Sequence, residues 1–372
     1  MKLLHIITDT NIGGAGKLLV AVLKNIDKER FDIAVAVPGG SALIPLIDET
    51  GVRVIKTKHG RDKSFEGKYT RELRKIIRAE KPDIVHCHAS LSGRIAAWQC
   101  GVKVRIMTRH SVFELSKSDK SFPKKQLRGL ISNVITTHYI ATAEAAKRLL
   151  IDMGCDEKKI TVIKNGSEKL RELTKAERDD MRDSLGIPRD AFVVGISARL
   201  EAYKGHKYLL DALGMIGVNN IYLLVVGDGS EMENLKKQAA ALEISDRVIF
   251  AGFKLDMAPY YAVMDVGVNC SYGTETTPLA ITEAMALGVP SIASDFGGNP
   301  DTVTDGYDGV VIPQKDPARL RDAILSLYND REKLAFLSAN AKKSYDEKYS
   351  AKIMMEKYEK LYINLFERRR KK

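Results

Sequence analysis

Residues 271–290 read SYGTETTPLAITEAMALGVP and place two glutamates, Glu275 and Glu283, with seven residues between them. Pro278 separates a polar turn from the apolar run Leu279 to Leu287. Proline suits the first turn of a helix, where its missing N–H would lack an intrahelical partner anyway. The spacing predicts Glu275 in a loop just ahead of a helix and Glu283 about one and a half turns inside it. Both carboxylates then lean toward one loop mouth, while Ala284, Leu287 and Val289 turn to a core. A loop glutamate is ordinarily solvated, so Glu275 alone fits a plain surface role equally well.

Short Val/Ile-rich runs flank this stretch at Val266–Asn269 and Ser291–Ala293, and the same pattern recurs upstream at Phe192–Ser197, Tyr222–Val226 and Val248–Phe250. A first set comprises Leu3–Ile7, Ile33–Val37, Val52–Ile55, Ile84–His86, Val104–Met107, Tyr139–Ala141 and Ile160–Ile163. Amphipathic stretches such as Leu18–Ile26, Tyr69–Ala79 and Ala143–Ile151 lie between them. Alternating strands and helices predict parallel sheets covered on both faces, which bind ligands beyond the carboxyl ends of their strands. The fold class is α/β: two tandem Rossmann-like, doubly wound domains with an inter-domain cleft. The expected boundaries are 1–168 for the first domain, a charged linker over 169–190, and 191–351 for the second.

The length of 372 residues with 44% hydrophobic content exceeds one ordinary core and agrees with two domains. Cys87, Cys100, Cys155 and Cys270 show no paired metal spacing and read as reduced thiols of a cytoplasmic protein. The N-terminus MKLLHIITDT turns polar after seven residues, as a first strand does and a signal peptide does not. No apolar run approaches the roughly 18 residues that span a bilayer. The net charge of +11 is uneven: residues 1–170 hold 31 Lys and Arg against 18 Asp and Glu, or +13. That asymmetry predicts a first domain facing an anionic partner, although a merely soluble basic surface has the same composition. The terminal run Arg368-Arg369-Arg370-Lys371-Lys372 reads as a solvated end.

Candidate phosphate-binding groups follow the strands. Asn11-Ile12-Gly13-Gly14-Ala15-Gly16-Lys17 opens the first helix, where glycines let backbone N–H groups approach an anion or simply permit tight packing. A Walker A loop would need glycine at 11 and Ser or Thr at 18, where Asn11 and Leu18 stand, and Leu19 breaks a dinucleotide fingerprint. Arg199 ends a strand and Lys204 precedes a helix, a pair of cations suited to a diphosphate. Val226-Gly227-Asp228-Gly229 reads as a tight turn. His110 follows the fifth strand, and His86 and His88 flank Cys87 after the fourth. No metal site is expected there, because no acidic partner is near in sequence, and the chain contains no Asp-x-Asp pair.

Together, Gly13-Gly14, His110, Arg199, Lys204-Gly205 and Glu275-x7-Glu283 with the following Ala-Met-Ala-Leu-Gly-Val-Pro resemble the retaining glycosyltransferases of family four, which have the GT-B fold. The resemblance covers essentially the whole chain, is most specific over 275–290, and is closest to bacterial enzymes of exopolysaccharide and capsule assembly. It implies that the backbone at Gly13 and Gly14 approaches the donor diphosphate and that Arg199 and Lys204 neutralise it as it leaves. It implies sugar hydroxyls on Glu275, ribose hydroxyls on Glu283, and His110 near the reacting carbon. N–H groups of Leu279 and Ala280 would add to phosphate binding, and Gly252-Phe253-Lys254 would border the base. The family's C-terminal helix, here about 352–372, packs back on the first domain. Two departures stand out: Thr276-Thr277-Pro278 replaces glycines after the first glutamate, and the linker reads Asn165-Gly166-Ser167-Glu168 where Asp is usual in the last place.

The resemblance predicts transfer of a sugar from a nucleotide-diphosphate sugar to a saccharide or lipid-linked acceptor, without a metal or other cofactor. A sugar-nucleotide 2-epimerase of the same fold is the enzymatic alternative. Nucleic-acid binding by the basic domain is the non-enzymatic one, but Ile76 and Ile77 interrupt the cations Arg71, Arg74, Lys75 and Arg78, and aromatic interleaving is sparse, so no nucleic-acid partner is expected. Lys120, Lys124, Lys125 and Arg128 extend the basic character and predict a peripheral contact with anionic lipid at the inner face of the cell membrane.

Overall fold

The computed structural model describes residues 1–113, 115–116 and 121–370. Lys120 and the final two lysines of the basic tail lie outside the described residues. The chain divides into two compact units, one of Met1–Gly166 with the segment from Ala351 onward, the other of Ser167–Ser350.

The first unit is built on seven parallel strands: β1 (Lys2–Ile7), β2 (Asp32–Pro38), β3 (Arg53–Thr57), β4 (Ile84–His88), β5 (Val104–Arg109), β6 (His138–Ala141) and β7 (Ile160–Val162). Their order is β3-β2-β1-β4-β5-β6-β7. The central strands are buried on both sides because helices cover both faces, the reason a parallel strand reads as a largely hydrophobic run, with His5, His86, His88 and Thr108 as buried polar exceptions. β4 extends through His88, two residues beyond the sequence expectation, because His86 and His88 pair in register with His5 and Ile7 of β1. Helix Ala351–Arg370 belongs to this unit; Ala351, Met354, Met355, Tyr358 and Tyr362 form one helical face buried in the same core as Leu3, Ile7, Leu18 and Ile106.

The second unit carries six parallel strands: β8 (Phe192–Ser197), β9 (Ile221–Val226), β10 (Val248–Gly252), β11 (Val266–Asn269), β12 (Ser291–Ser294) and β13 (Gly309–Ile312), in the order β10-β9-β8-β11-β12-β13. Within residues 169–190 lies helix Lys175–Ser184, opened by a capping box between Thr174 and Glu177. Met181, Leu185 and Ile187 pack on a core with Val193, Tyr261 and Val289. In each sheet the direction of winding reverses once, between β1 and β4 and between β8 and β11. Such a switch point opens a crevice at the carboxyl ends of the two strands.

Candidate active site

At the switch point of the second unit, β8 leads through Arg199 to a short 3-10 turn, Ala202–Lys204, and then to helix His206–Gly214. Gly205 joins turn to helix at φ +76°, and an added Cβ there would lie 2.2 Å from the Cys270 carbonyl oxygen. Only glycine combines that left-handed backbone with so close an approach to the chain leaving β11. The contact fixes Lys204 beside the loop after β11.

That loop holds Glu275, and Pro278 caps helix Leu279–Ala286, in agreement with the reading of the 271–290 stretch. Lys204 forms an ion pair with Glu275; their side chains are 16% and 8% exposed. The Ser271 hydroxyl donates to the same carboxylate at 2.6 Å. Behind it, Ser294 donates to the Ser271 carbonyl at 2.6 Å and Asn299 donates to Ser294 at 3.0 Å. Gly297, at φ +62°, lets the next loop close on Glu275; a Cβ there would sit 2.5 Å from the Glu275 carbonyl oxygen. Glu275 is thus a buried carboxylate held by a cation and a hydroxyl on a polar support.

Arg199 and Lys204 share a scaffold that the sequence did not reveal. Both lie over the Tyr203 ring, at 6.0 and 5.7 Å from its centroid, and Arg199 donates to the Tyr203 hydroxyl. Glu283 accepts a 3.1 Å hydrogen bond from Tyr261, whose phenol is pushed well above its ordinary pKa by burial and by the Glu283 carboxylate. Tyr261 therefore remains a donor throughout the neutral range. The neighbouring Tyr260 stacks under Lys254 at 5.6 Å, so one helix, Ala258–Ala262, supports both Glu283 and the turn Gly252-Phe253-Lys254 at the end of β10. The first intrahelical bonds of Leu279–Ala286 come from Ile281 and Thr282 to the Pro278 carbonyl, so the N–H groups of Leu279 and Ala280 stand at the open helix end.

In the first unit, Gly13 caps helix Gly14–Asn25 without a side-chain bond, and an added Cβ at Gly13 or Gly14 would meet no described atom within 4 Å. Packing alone does not account for those two glycines. Gly16 differs: its Cβ would strike Leu43 at 2.4 Å. His110 follows β5 and joins a buried histidine chain. His88 Nδ1 lies 3.0 Å from His110 Nε2, and His88 Nε2 lies 3.1 Å from His5 Nδ1. His86 engages the Tyr362 hydroxyl at 2.8 Å and Thr108 at 2.6 Å. Burial holds His86 and His88 well below the ordinary imidazole pKa and brings His5 down to about 3; burial and Arg109 bring His110 down to about 4. These rings are neutral at neutral pH. Donor atoms of His5, His86 and His88 lie within 4.8 Å of one another. A cation there would have to displace the hydrogen bonds of His86 and His88 in a pocket whose desolvation already disfavours charge. A cavity of about 500 Å³ opens at the opposite, amino-terminal edge of this sheet, lined by Arg78, Lys81, Lys103, Arg369 and Arg370, away from all these groups.

The comparisons with known proteins assign the class. The family model "Glycosyltransferase Family 4" matches residues 12–168, and "Glycosyl transferases group 1" matches 177–344. The UDP-Gal:alpha-D-GlcNAc-diphosphoundecaprenol alpha-1,3-galactosyltransferase of Escherichia coli is 27% identical over 98% of this chain and 97% of its own. The capsular polysaccharide biosynthesis glycosyltransferase CapM of Staphylococcus aureus is 26% identical over 97% and 96%. The structure of Anabaena HepE in complex with UDP superposes with a TM-score of 0.86 at 23% identity, covering 98% of this chain and all of that one. Two Rossmann-like units with these matches define a glycosyltransferase of the GT-B fold. The chain belongs to glycosyltransferase family four. The named relatives are transferases, so the epimerase alternative is not favoured.

Proposed function

We propose that the protein transfers a sugar, with retention of anomeric configuration, from a nucleoside-diphosphate sugar to a saccharide or lipid-linked acceptor in cell-surface polysaccharide assembly. The observation that carries this reading is the Lys204–Glu275–Ser271 cluster at the switch point of β8 and β11, where a carboxylate and a cation are held ready for a polar, anionic ligand. The activities named for the E. coli and S. aureus relatives support the acceptor class, and the UDP complex of HepE supports the donor class.

Breaking the glycosyl bond to a diphosphate places negative charge on the departing oxygens and positive charge on the sugar. Arg199 and Lys204 neutralise the leaving group, with the N–H groups of Leu279 and Ala280 adding fixed dipoles. Preset cations of this kind make a metal unnecessary, and the sequence offers no Asp-x-Asp clamp. Glu275 accepts from sugar hydroxyls and steadies the developing positive charge; Glu283, aligned by Tyr261, accepts from the ribose. Gly13 and Gly14 let the backbone approach the diphosphate, Gly252-Phe253-Lys254 borders the base, and neutral His110 meets the sugar near the reacting carbon. Front-face attack by the acceptor as the diphosphate departs retains configuration.

The test measures nucleoside-diphosphate release and sugar transfer across a panel of donors for wild type, Glu275→Ala and Lys204→Ala. Both variants are expected to lose transfer. Wild-type rates in either variant with every active donor would refute the site.

A further inference from the structure

Three histidines form one hydrogen-bonded line across the switch point of the first unit. His5 stands on β1, His88 ends β4 and His110 follows β5. These strands are neighbours, and their register sets His5 opposite His86, with His88 two residues further along the same face. Successive rings lie 5.3 and 5.2 Å apart at their centroids and are inclined by 23° and 20°. His5 and His88 are buried, and His110 alone of the three keeps part of its surface exposed. The line therefore runs from the interior to the residue that can meet a ligand.

Each neutral imidazole carries one ring proton and one lone pair. The bond between His5 Nδ1 and His88 Nε2 needs one proton, and so does the bond between His88 Nδ1 and His110 Nε2. Only two arrangements satisfy both. In one, every ring is protonated at Nδ1, so that His5 donates to His88 and His88 donates to His110. In the other, every ring is protonated at Nε2 and both bonds run the opposite way. The buried end of the line decides between them. His5 Nε2 is enclosed and has no hydrogen-bond partner among the described residues. His86, whose ring centroid lies 5.0 Å from that of His5, does not relieve it, because Tyr362 and Thr108 occupy both of its nitrogens. The second arrangement would bury an unpaired N–H at that point, whereas the first leaves a bare nitrogen. A buried N–H without an acceptor is the less tolerated of the two.

We propose that His5 and His88 are positioning residues that hold His110 in the Nδ1–H tautomer, so that it meets the sugar nucleotide as a hydrogen-bond donor and has no lone pair left to act as a base. The proposal rests on the transferase reading above for the place of His110 in the reaction; the tautomer itself needs no ligand. In that reaction the bond from sugar to diphosphate breaks with its electron pair on the departing oxygen, and the bond to the acceptor oxygen forms. His110 Nε2 is engaged by His88 and takes no proton, so the acceptor's hydroxyl proton passes to the departing diphosphate. Nδ1–H instead donates to an oxygen of the sugar nucleotide, a fixed dipole whose direction two buried partners have set in advance.

The experiment labels the histidines of the full chain with heavy nitrogen and records two-bond proton–nitrogen correlations at neutral pH, where protonation at Nδ1 and at Nε2 give different patterns. The chain has 7 histidines, and single substitutions assign their signals. Wild type is expected to show His5, His88 and His110 all protonated at Nδ1, a result that needs no variant. His5→Gln ends the line in an amide that can either donate to His88 Nε2 or accept from it, which removes the bias without touching His110. Both tautomers of His110 are then expected to appear, and transfer at low donor concentration is expected to fall about twofold, as the competent fraction does. A merely structural His5 would leave the His110 pattern unchanged. Wild-type His110 protonated at Nε2, wholly or in part, would overturn the proposal, and so would a folded His5→Gln with the wild-type His110 pattern. A wild type that shows the Nδ1–H pattern yet transfers sugar from no donor would leave the lock standing and refute the transferase reading instead.

Discussion

Acidification is expected to loosen the first unit through its buried histidines. His5 is wholly buried, with a pKa near 3 against an ordinary value of 6.5, and His110 lies near 4. The folded values are depressed, so the unfolded chain binds more protons between the two limits. The stability these groups contribute is complete above the unfolded value and is lost as pH falls toward the folded one. Between pH of about 7.5 and about 5, His5 and His110 each withdraw about 2 kcal/mol. His86 and His88 are displaced in the same direction by the same burial and add to the loss. A total of about 4 kcal/mol from the first two alone is a large share of a typical domain's stability of about 5–15 kcal/mol. Hydrogen exchange of peptides covering β1 and β4, corrected for intrinsic rates, reads this opening at both pH values. His5→Gln removes one titrating ring while keeping a hydrogen-bonding partner for His88, and its pH-dependent loss should be smaller by about 2 kcal/mol. Equal protection at both pH values, or an unchanged loss in His5→Gln, would refute the reasoning.

Three further outcomes follow from the second unit. Lys204→Ala strands the Glu275 carboxylate and is expected to cost about 3 kcal/mol in urea unfolding, most of which Lys204→Met/Glu275→Gln restores while activity stays lost; a double variant no more stable than the single one argues against the pair. Gly297→Ala places a methyl against the Glu275 carbonyl at a left-handed φ and should cost about 1–3 kcal/mol and raise the donor KM, so an unchanged donor KM counts against that support role. Tyr261→Phe removes the hydroxyl from Glu283 and should weaken donor affinity roughly fivefold, about 1 kcal/mol, with kcat little changed; a fall in kcat alone would contradict a ribose-side role.

Much of the architecture was legible because parallel strands covered on both faces are predominantly apolar. Twelve of the thirteen strands among the described residues were visible as short Val/Ile-rich runs. The missed one, β13, is a four-residue edge strand following the turn residues Asp305-Gly306-Tyr307-Asp308, which mask its short apolar run. At the candidate site, type and spacing singled out Glu275, Glu283, Arg199 and Lys204, and the family resemblance supplied the roles proposed for them. Tyr203, Ser271 and Tyr261 did not. Tyr261 has no local signature because its carboxylate partner lies 22 residues away, and Tyr203, although its cations stand four residues before and one after it, meets them only through the 3-10 turn Ala202–Lys204.

Sequence by itself determined the class of fold and the helix that follows Pro278, because strand periodicity and the conformational limits of proline act over a few residues. Only the tertiary structure decided that Lys204 meets Glu275, since that contact depends on Gly205 admitting the Cys270 carbonyl where no side chain fits. It also decided which way helix Phe122–Ile135 faces. The 3.6-residue period specifies a stripe of Leu127, Leu130, Ile131 and Val134 but not its direction, and the close approach of Gly129 to Gly154 turns that stripe outward.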